Sequence, residues 1–152
     1  MYETILFDLE GVVFDATNTW LCAGFQEIYN FAIRNNMAMG LVTGATEIEL
    51  VNIESSISLK TLFGDNIYFT EKLWFSSKKD TALRKLIASQ MSLNPEKTLL
   101  LDDGENGILW AKSIWISTYY INNNGTTCTY ADKTWTLSDC FNFLLSTTND
   151  NA

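Results

Sequence analysis

The chain begins with an apolar run that does not alternate: Ile5, Leu6 and Phe7 follow Glu3 and Thr4, and Leu9 lies just beyond Asp8. A run of this length and β-rich content predicts a strand buried on both faces, as in a parallel sheet. It ends in acid and glycine, at Asp8, Glu10 and Gly11. Val12 to Trp20 form a short loop. From Leu21 the spacing turns helical, with Leu21, Phe25, Ile28, Tyr29, Ala32 and Ile33 along one face and Asn35 and Asn36 as the stop. A second strand, Ala38 to Thr43, runs into Gly44. Thr46 and Glu49 follow at the spacing of a capping box, so strand, tight turn and helix N-terminus come in order. That helix is expected from Thr46 to about Leu59. The turn Gly64-Asp65-Asn66 then leads into a short strand at Ile67 to Thr70.

In the second half, Leu83, Leu86 and Ile87 predict a helix over Asp80 to Met91, and Pro95 separates it from a strand at Thr98 to Leu101. Asp102 and Asp103 close that strand. Beyond them the pattern gives a short helix carrying Ile108, Leu109 and Ala111, a strand from Trp115 to Ile121, an Asn-rich turn at Asn122 to Gly125 and a strand near Cys128. A last helix places Leu137, Cys140, Phe141 and Leu144 on one face. Strands alternating with helices imply βαβ units, hence a three-layer α/β/α sandwich around a Rossmann-like parallel sheet. Residues 1–146 are expected to form one domain and 147–152 a flexible tail. Ligands of such sheets bind beyond the carboxyl ends of the strands, where the strand order reverses. Asp8, Thr43, Asp102 and Asp103 all stand at such ends.

Composition narrows the chemistry. Hydrophobic residues make up 47 % of the 152 residues and charged ones 18 %, an ordinary globular balance. A net charge of −8 opposes general binding to phosphate backbones, so nucleic acid is not an expected partner. The sequence contains no histidine, which removes Ser-His-Asp and Cys-His catalysis and His-ligated zinc and leaves proton transfer near neutral pH to carboxylates. The three cysteines, Cys22, Cys128 and Cys140, lack metal-ligand spacing and are an odd number, which suits a reducing compartment such as the cytoplasm. They read as buried small hydrophobes. No apolar stretch approaches the roughly 18 residues of a membrane span, and no basic leader precedes the first strand. The five tryptophans, Trp20, Trp74, Trp110, Trp115 and Trp135, read as packing residues, with Trp74 and Phe75 also placed to line a substrate entrance.

The run Ile5-Leu6-Phe7-Asp8-Leu9-Glu10-Gly11 resembles the first motif of the haloacid dehalogenase-like superfamily, hydrophobic residues followed by DxDG. Gly40-Leu41-Val42-Thr43-Gly44 resembles its second motif, Lys78 or Lys79 before an amphipathic helix its third, and Leu99-Leu100-Leu101-Asp102-Asp103 its fourth. The resemblance covers about residues 3 to 122. It implies an aspartyl-phosphate on Asp8, with Glu10 as the acid that protonates the leaving oxygen and later deprotonates water. Thr43, Gly44 and Lys78 would hold the phosphoryl oxygens, with Lys79 as the alternative to Lys78. The implied cofactor is Mg²⁺, on Asp8, the Glu10 backbone carbonyl and Asp103, with Asp102 close by.

Two positions depart from the pattern. Glu10 replaces the usual second Asp of the first motif, a change shared with the enolase-phosphatase branch. Gly107 stands where many relatives carry a further Asp or Asn, leaving Glu105 or Asn106 to substitute or the metal to be held more weakly. The expected activity is a Mg²⁺-dependent phosphatase. The alternatives are a regulatory or binding domain with weakened chemistry and, from the dehalogenase branch, metal-independent carbon-halogen cleavage. No segment is long enough for a large cap domain, so the site is expected to be uncovered. That suits a phosphorylated protein or other large substrate, or closure by a partner chain.

Overall fold

A computed structural model of the chain describes residues 1–71, 73, 80–123 and 125–149. The chain runs β1 (Thr4–Phe7), β2 (Phe14–Asp15), β3 (Trp20–Leu21), α1 (Phe25–Arg34), β4 (Ala38–Thr43), α2 (Glu47–Glu54), α3 (Leu59–Phe63) and β5 (Ile67–Phe69). It continues through α4 (Thr81–Met91), β6 (Thr98–Asp102), α5 (Glu105–Lys112), β7 (Ser117–Ile121), β8 (Lys133–Trp135) and α6 (Leu137–Asn149). Six strands form one sheet in the order β5-β4-β1-β6-β7-β8, with every neighbouring pair parallel. From β1 the chain winds outward through β4 to β5, then returns to start β6 on the other side of β1. The reversal therefore falls between β1 and β6.

Both faces of the sheet are covered, and the two-residue period of the strands divides the core. Ile5, Phe7, Leu99 and Leu101 join Phe25, Ile28, Phe63 and Leu144 on one face. Leu6 and Leu100 point the other way, to Leu83 and Ile87 of α4 and Trp110 and Ala111 of α5. The central strands are apolar on both sides for this reason, and their register is fixed because a one-residue slip would exchange the two cores.

Several expectations are corrected. The helix expected from Thr46 to about Leu59 is two helices, because the Ser58 hydroxyl accepts from Thr61 N–H and starts α3 afresh after the break at Ser55. No strand forms at Cys128; the edge strand is β8, at Lys133–Trp135. The loop between Val12 and Trp20 holds a small antiparallel hairpin, β2 with β3, and Leu21 belongs to it and not to α1. On α1, Ile33 is exposed. Trp110 is buried and Trp135 packs against Tyr119 and Phe143, but Trp20 and Trp115 face solvent and do not serve packing. Trp115 sits at φ 66°, in the left-handed turn that leaves α5. α6 continues to Asn149, past the expected start of the tail. No helix among the described residues is long and apolar enough to cross a membrane.

Candidate active site

The carboxyl ends of β1 and β6 lie side by side, paired through Phe7 and Leu101, and the Asp8 N–H continues the ladder by donating to Leu101 O at 2.9 Å. Asp8 and the Asp102-Asp103 pair are thus delivered to the point of strand reversal. One carboxylate oxygen from each of Asp8, Asp102 and Asp103 lies within 4.8 Å of the others. Asp8 and Asp102 are buried and Asp103 is half-buried. Two unit charges about 4 Å apart repel by roughly 4 kcal/mol at an effective dielectric of about 20, so such a group favours a cation. A cluster of carboxylate oxygens suits Mg²⁺, a hard ion that takes oxygen ligands. The residues present fit that ion.

Two glycines shape the cluster. A Cβ on Gly11 would lie 2.0 Å from Asp103 Oδ2, and its φ of 82° is itself one that favours glycine. A Cβ on Gly107 would lie 1.8 Å from Asp102 Oδ2. Asp102 cannot easily move away, because its other oxygen accepts from Gly104 N–H at 2.8 Å at the start of α5. The bare backbone at 107 is therefore the space into which the Asp102 carboxylate fits.

The cluster opens into a cleft of about 410 Å³ whose far wall is Thr43, Gly44 and Ala45, at the end of β4. Thr43 is buried, and its Oγ1 accepts from Ala45 N–H at 3.0 Å, which holds the hydroxyl in place while its own hydrogen stays available as a donor. Gly44 is exposed on the cleft wall. The helix beyond it starts with the expected capping box, Thr46 Oγ1 accepting from Glu49 N–H and Glu49 Oε2 from Thr46 N–H. Glu10 lines the same cleft but is exposed, and its carboxylate lies outside the three-aspartate group.

The structure thus brings Asp8, Glu10, Thr43, Gly44, Asp102 and Asp103 to one cleft. Lys78 and Lys79 lie outside the described residues, as do Trp74 and Phe75. Sequence reasoning missed Thr70 as a site residue; it directly follows β5, is buried, lines the cleft and donates its N–H to Thr43 O at 3.1 Å. Its position one residue past a strand end, like that of Asp8, was the available signal. Glu105 does not line the cleft, whereas Asn106 does.

A second cleft, of about 790 Å³, lies beyond Glu10 and Asp103, between the β2–β3 hairpin, Asn122 and Asn123 after β7, and the start of α6. Cys22 lines it. Burial, and after it the charges of Asp15, Asp103 and Asp8, push this thiol up to about 12, so it is protonated near neutral pH and is not a nucleophile. Burial does the same to Cys140.

No protein-family model matches the sequence, and no curated protein matches it. Solved structures do. A HAD phosphatase from Thermococcus onnurineus superposes with a TM-score of 0.80 at 12 % identity, over 95 % of this chain and 98 % of that one. YfnB from Bacillus subtilis, bound to magnesium, gives 0.77 at 11 % identity over 94 % and 98 %. CbbY from Rhodobacter sphaeroides, in complex with phosphate, gives 0.72 at 13 % identity over 88 % and 93 %. The chain has the haloacid dehalogenase-like fold.

Proposed function

We propose that the protein is a Mg²⁺-dependent phosphoric monoester hydrolase with Asp8 as its nucleophile. The observation that carries this reading is the three-aspartate group at the point of strand reversal, facing the Thr43-Gly44 turn across a cleft of about 410 Å³. An Asp8 oxygen attacks phosphorus and the bond from phosphorus to the ester oxygen breaks, while Glu10 gives its proton to that departing oxygen. Glu10 then takes a proton from water, whose oxygen attacks the aspartyl-phosphate, releasing inorganic phosphate and restoring the Asp8 carboxylate. The Thr43 hydroxyl and the Gly44 backbone hold the phosphoryl oxygens from the opposite wall, and Lys78 or Lys79 is the cation that the family resemblance assigns to the same oxygens. Asp8, Asp103, Asp102 and the Glu10 carbonyl would hold Mg²⁺, which supplies charge to the phosphoryl oxygens.

The magnesium of YfnB and the phosphate of CbbY support this reading for a chain with the same fold. Three clustered carboxylates also favour it over metal-independent dehalogenation, which has no use for a cation. The test is phosphate release from p-nitrophenyl phosphate with and without Mg²⁺. Turnover is expected only with the metal and is expected to vanish in Asp8→Asn; equal rates for native protein and variant would overturn the assignment. Absence of both turnover and Mg²⁺ binding would favour the regulatory-domain reading instead.

A further inference from the structure

Successive side chains of a strand point to opposite faces, so residues two apart share one. Leu6, Val42, Tyr68 and Leu100, one from each of β1, β4, β5 and β6, share the core on one face of the sheet. The residues two further on are Asp8, Gly44, Thr70 and Asp102, and all four line the first cleft. In the order of the strands the row reads Thr70, Gly44, Asp8, Asp102. Asp8 and Asp102 are its carboxylate end and Thr70 its hydroxyl end. We propose that Thr70 is a further catalytic residue, whose hydroxyl donates to a phosphoryl oxygen from β5 as Thr43 does from β4. This rests on the hydrolase reading above, which places the phosphoryl group between Asp8 and the Thr43-Gly44 turn.

The backbone at Thr70 is fixed by the sheet. Thr43 pairs with Phe69, and one step on the Thr70 N–H donates to Thr43 O at 3.1 Å, so β5 is still laddered to β4 where Thr70 leaves it. The residue is only 5 % exposed, and what remains open faces the cleft. Gly44 is the reason the hydroxyl can reach it. A Cβ at position 44 would lie 3.8 Å from Thr70 Oγ1, so any longer side chain there would stand between the hydroxyl and the Asp8 side of the cleft. Neighbouring strands lie about 4.8 Å apart, which puts β5 and β1 about 10 Å apart on either side of β4, a gap that a phosphoryl group with a contact on each side spans. Threonine brings a donor without a charge. A hydrogen bond to a charged oxygen is stronger than one between neutral groups, and a donor fixed before reaction favours the transition state, where charge on those oxygens is redistributed. Valine would fill the same volume in a strand, so the hydroxyl and the shape can be separated by substitution.

The experiment compares native protein with Thr70→Val and Thr70→Ser on p-nitrophenyl phosphate with Mg²⁺, and measures inhibition of each by orthovanadate, a mimic of the phosphoryl group in flight. Thr70→Val should lower kcat about tenfold and weaken orthovanadate by a similar factor, with Mg²⁺ affinity by calorimetry and the urea midpoint close to native. Thr70→Ser, which keeps the hydroxyl, should retain most of the native kcat and orthovanadate inhibition. Should Thr70→Val fail to fold, Thr70→Ala, which adds no bulk, reads the same loss. Native kcat and orthovanadate inhibition in the variants lacking the hydroxyl would overturn the assignment while leaving the hydrolase reading standing. So would an equal loss in Thr70→Ser and Thr70→Val, or a parallel fall in Mg²⁺ affinity, since either would make Thr70 part of the frame. No Mg²⁺-dependent release by native protein would overturn the hydrolase reading and this one with it.

Discussion

The two clefts that meet at Glu10 and Asp103 are built in different ways. The first is made of strand ends. Asp8, Thr43, Thr70 and Asp102 are each placed by the ladder of the parallel sheet, and the bare backbones of Gly11 and Gly107 leave the space that the carboxylates fill. The second is made of segments far apart in sequence, the hairpin near Asp15, the loop at Asn122 and the start of α6. They are joined by side-chain contacts such as Asn123 to Gly11. Groups that need one geometry lie where the backbone is held on both sides, whereas the second cleft is walled by segments that can change without disturbing the sheet.

The largest expected effect sharpens this contrast. Leu101 is fully buried under the first cleft, and Leu101→Ala should cost about 2–5 kcal/mol of stability by urea denaturation. A loss below ~1 kcal/mol would mean that the sheet does not fix this edge. Next comes Gly107→Ala. Alanine favours helix by roughly 1 kcal/mol over glycine, yet its Cβ would displace the Asp102 carboxylate. Mg²⁺ affinity by calorimetry should therefore fall about tenfold, ~1.4 kcal/mol, without a matching loss of stability. Unchanged affinity would break the link between the glycine and the metal site.

A smaller effect concerns the second cleft at high pH. The Cys22 thiol is raised from 9.0 to about 12, so the unfolded chain loses this proton first. Stability from this group is complete below pH 9 and is lost as pH rises towards 12. Urea melts at pH 8 and pH 10 should show the decline, and Cys22→Ala should show less of it. The smallest effect is Thr17→Ala on the exposed hairpin, expected to stay within about 0.5 kcal/mol of native stability. A larger loss would show that the hairpin is part of the rigid frame.

The same contrast decides what the sequence revealed. β1, β4 and β6 are apolar runs that stop at polar residues, so their ends, and with them Asp8, Thr43 and Asp102-Asp103, are legible in the sequence pattern. The capping box at Thr46 and Glu49 was equally local. The β2–β3 hairpin and β8, two or three residues per strand, are too short to carry a period, and β8 exists because β7 offers it an edge. The break before α3 depends on one serine hydroxyl. The second cleft left no mark on the sequence, because its walls converge only through tertiary packing. Gly107 read as a missing ligand; its meaning became visible only when the Asp102 carboxylate was found in the space beside it.

That shared space constrains how the protein can drift. Positions 102 and 107 compete for one volume, so a side chain gained at 107 must turn the Asp102 carboxylate aside. Descendants that fill 107 would therefore carry a differently aimed carboxylate at 102, or a shorter residue there.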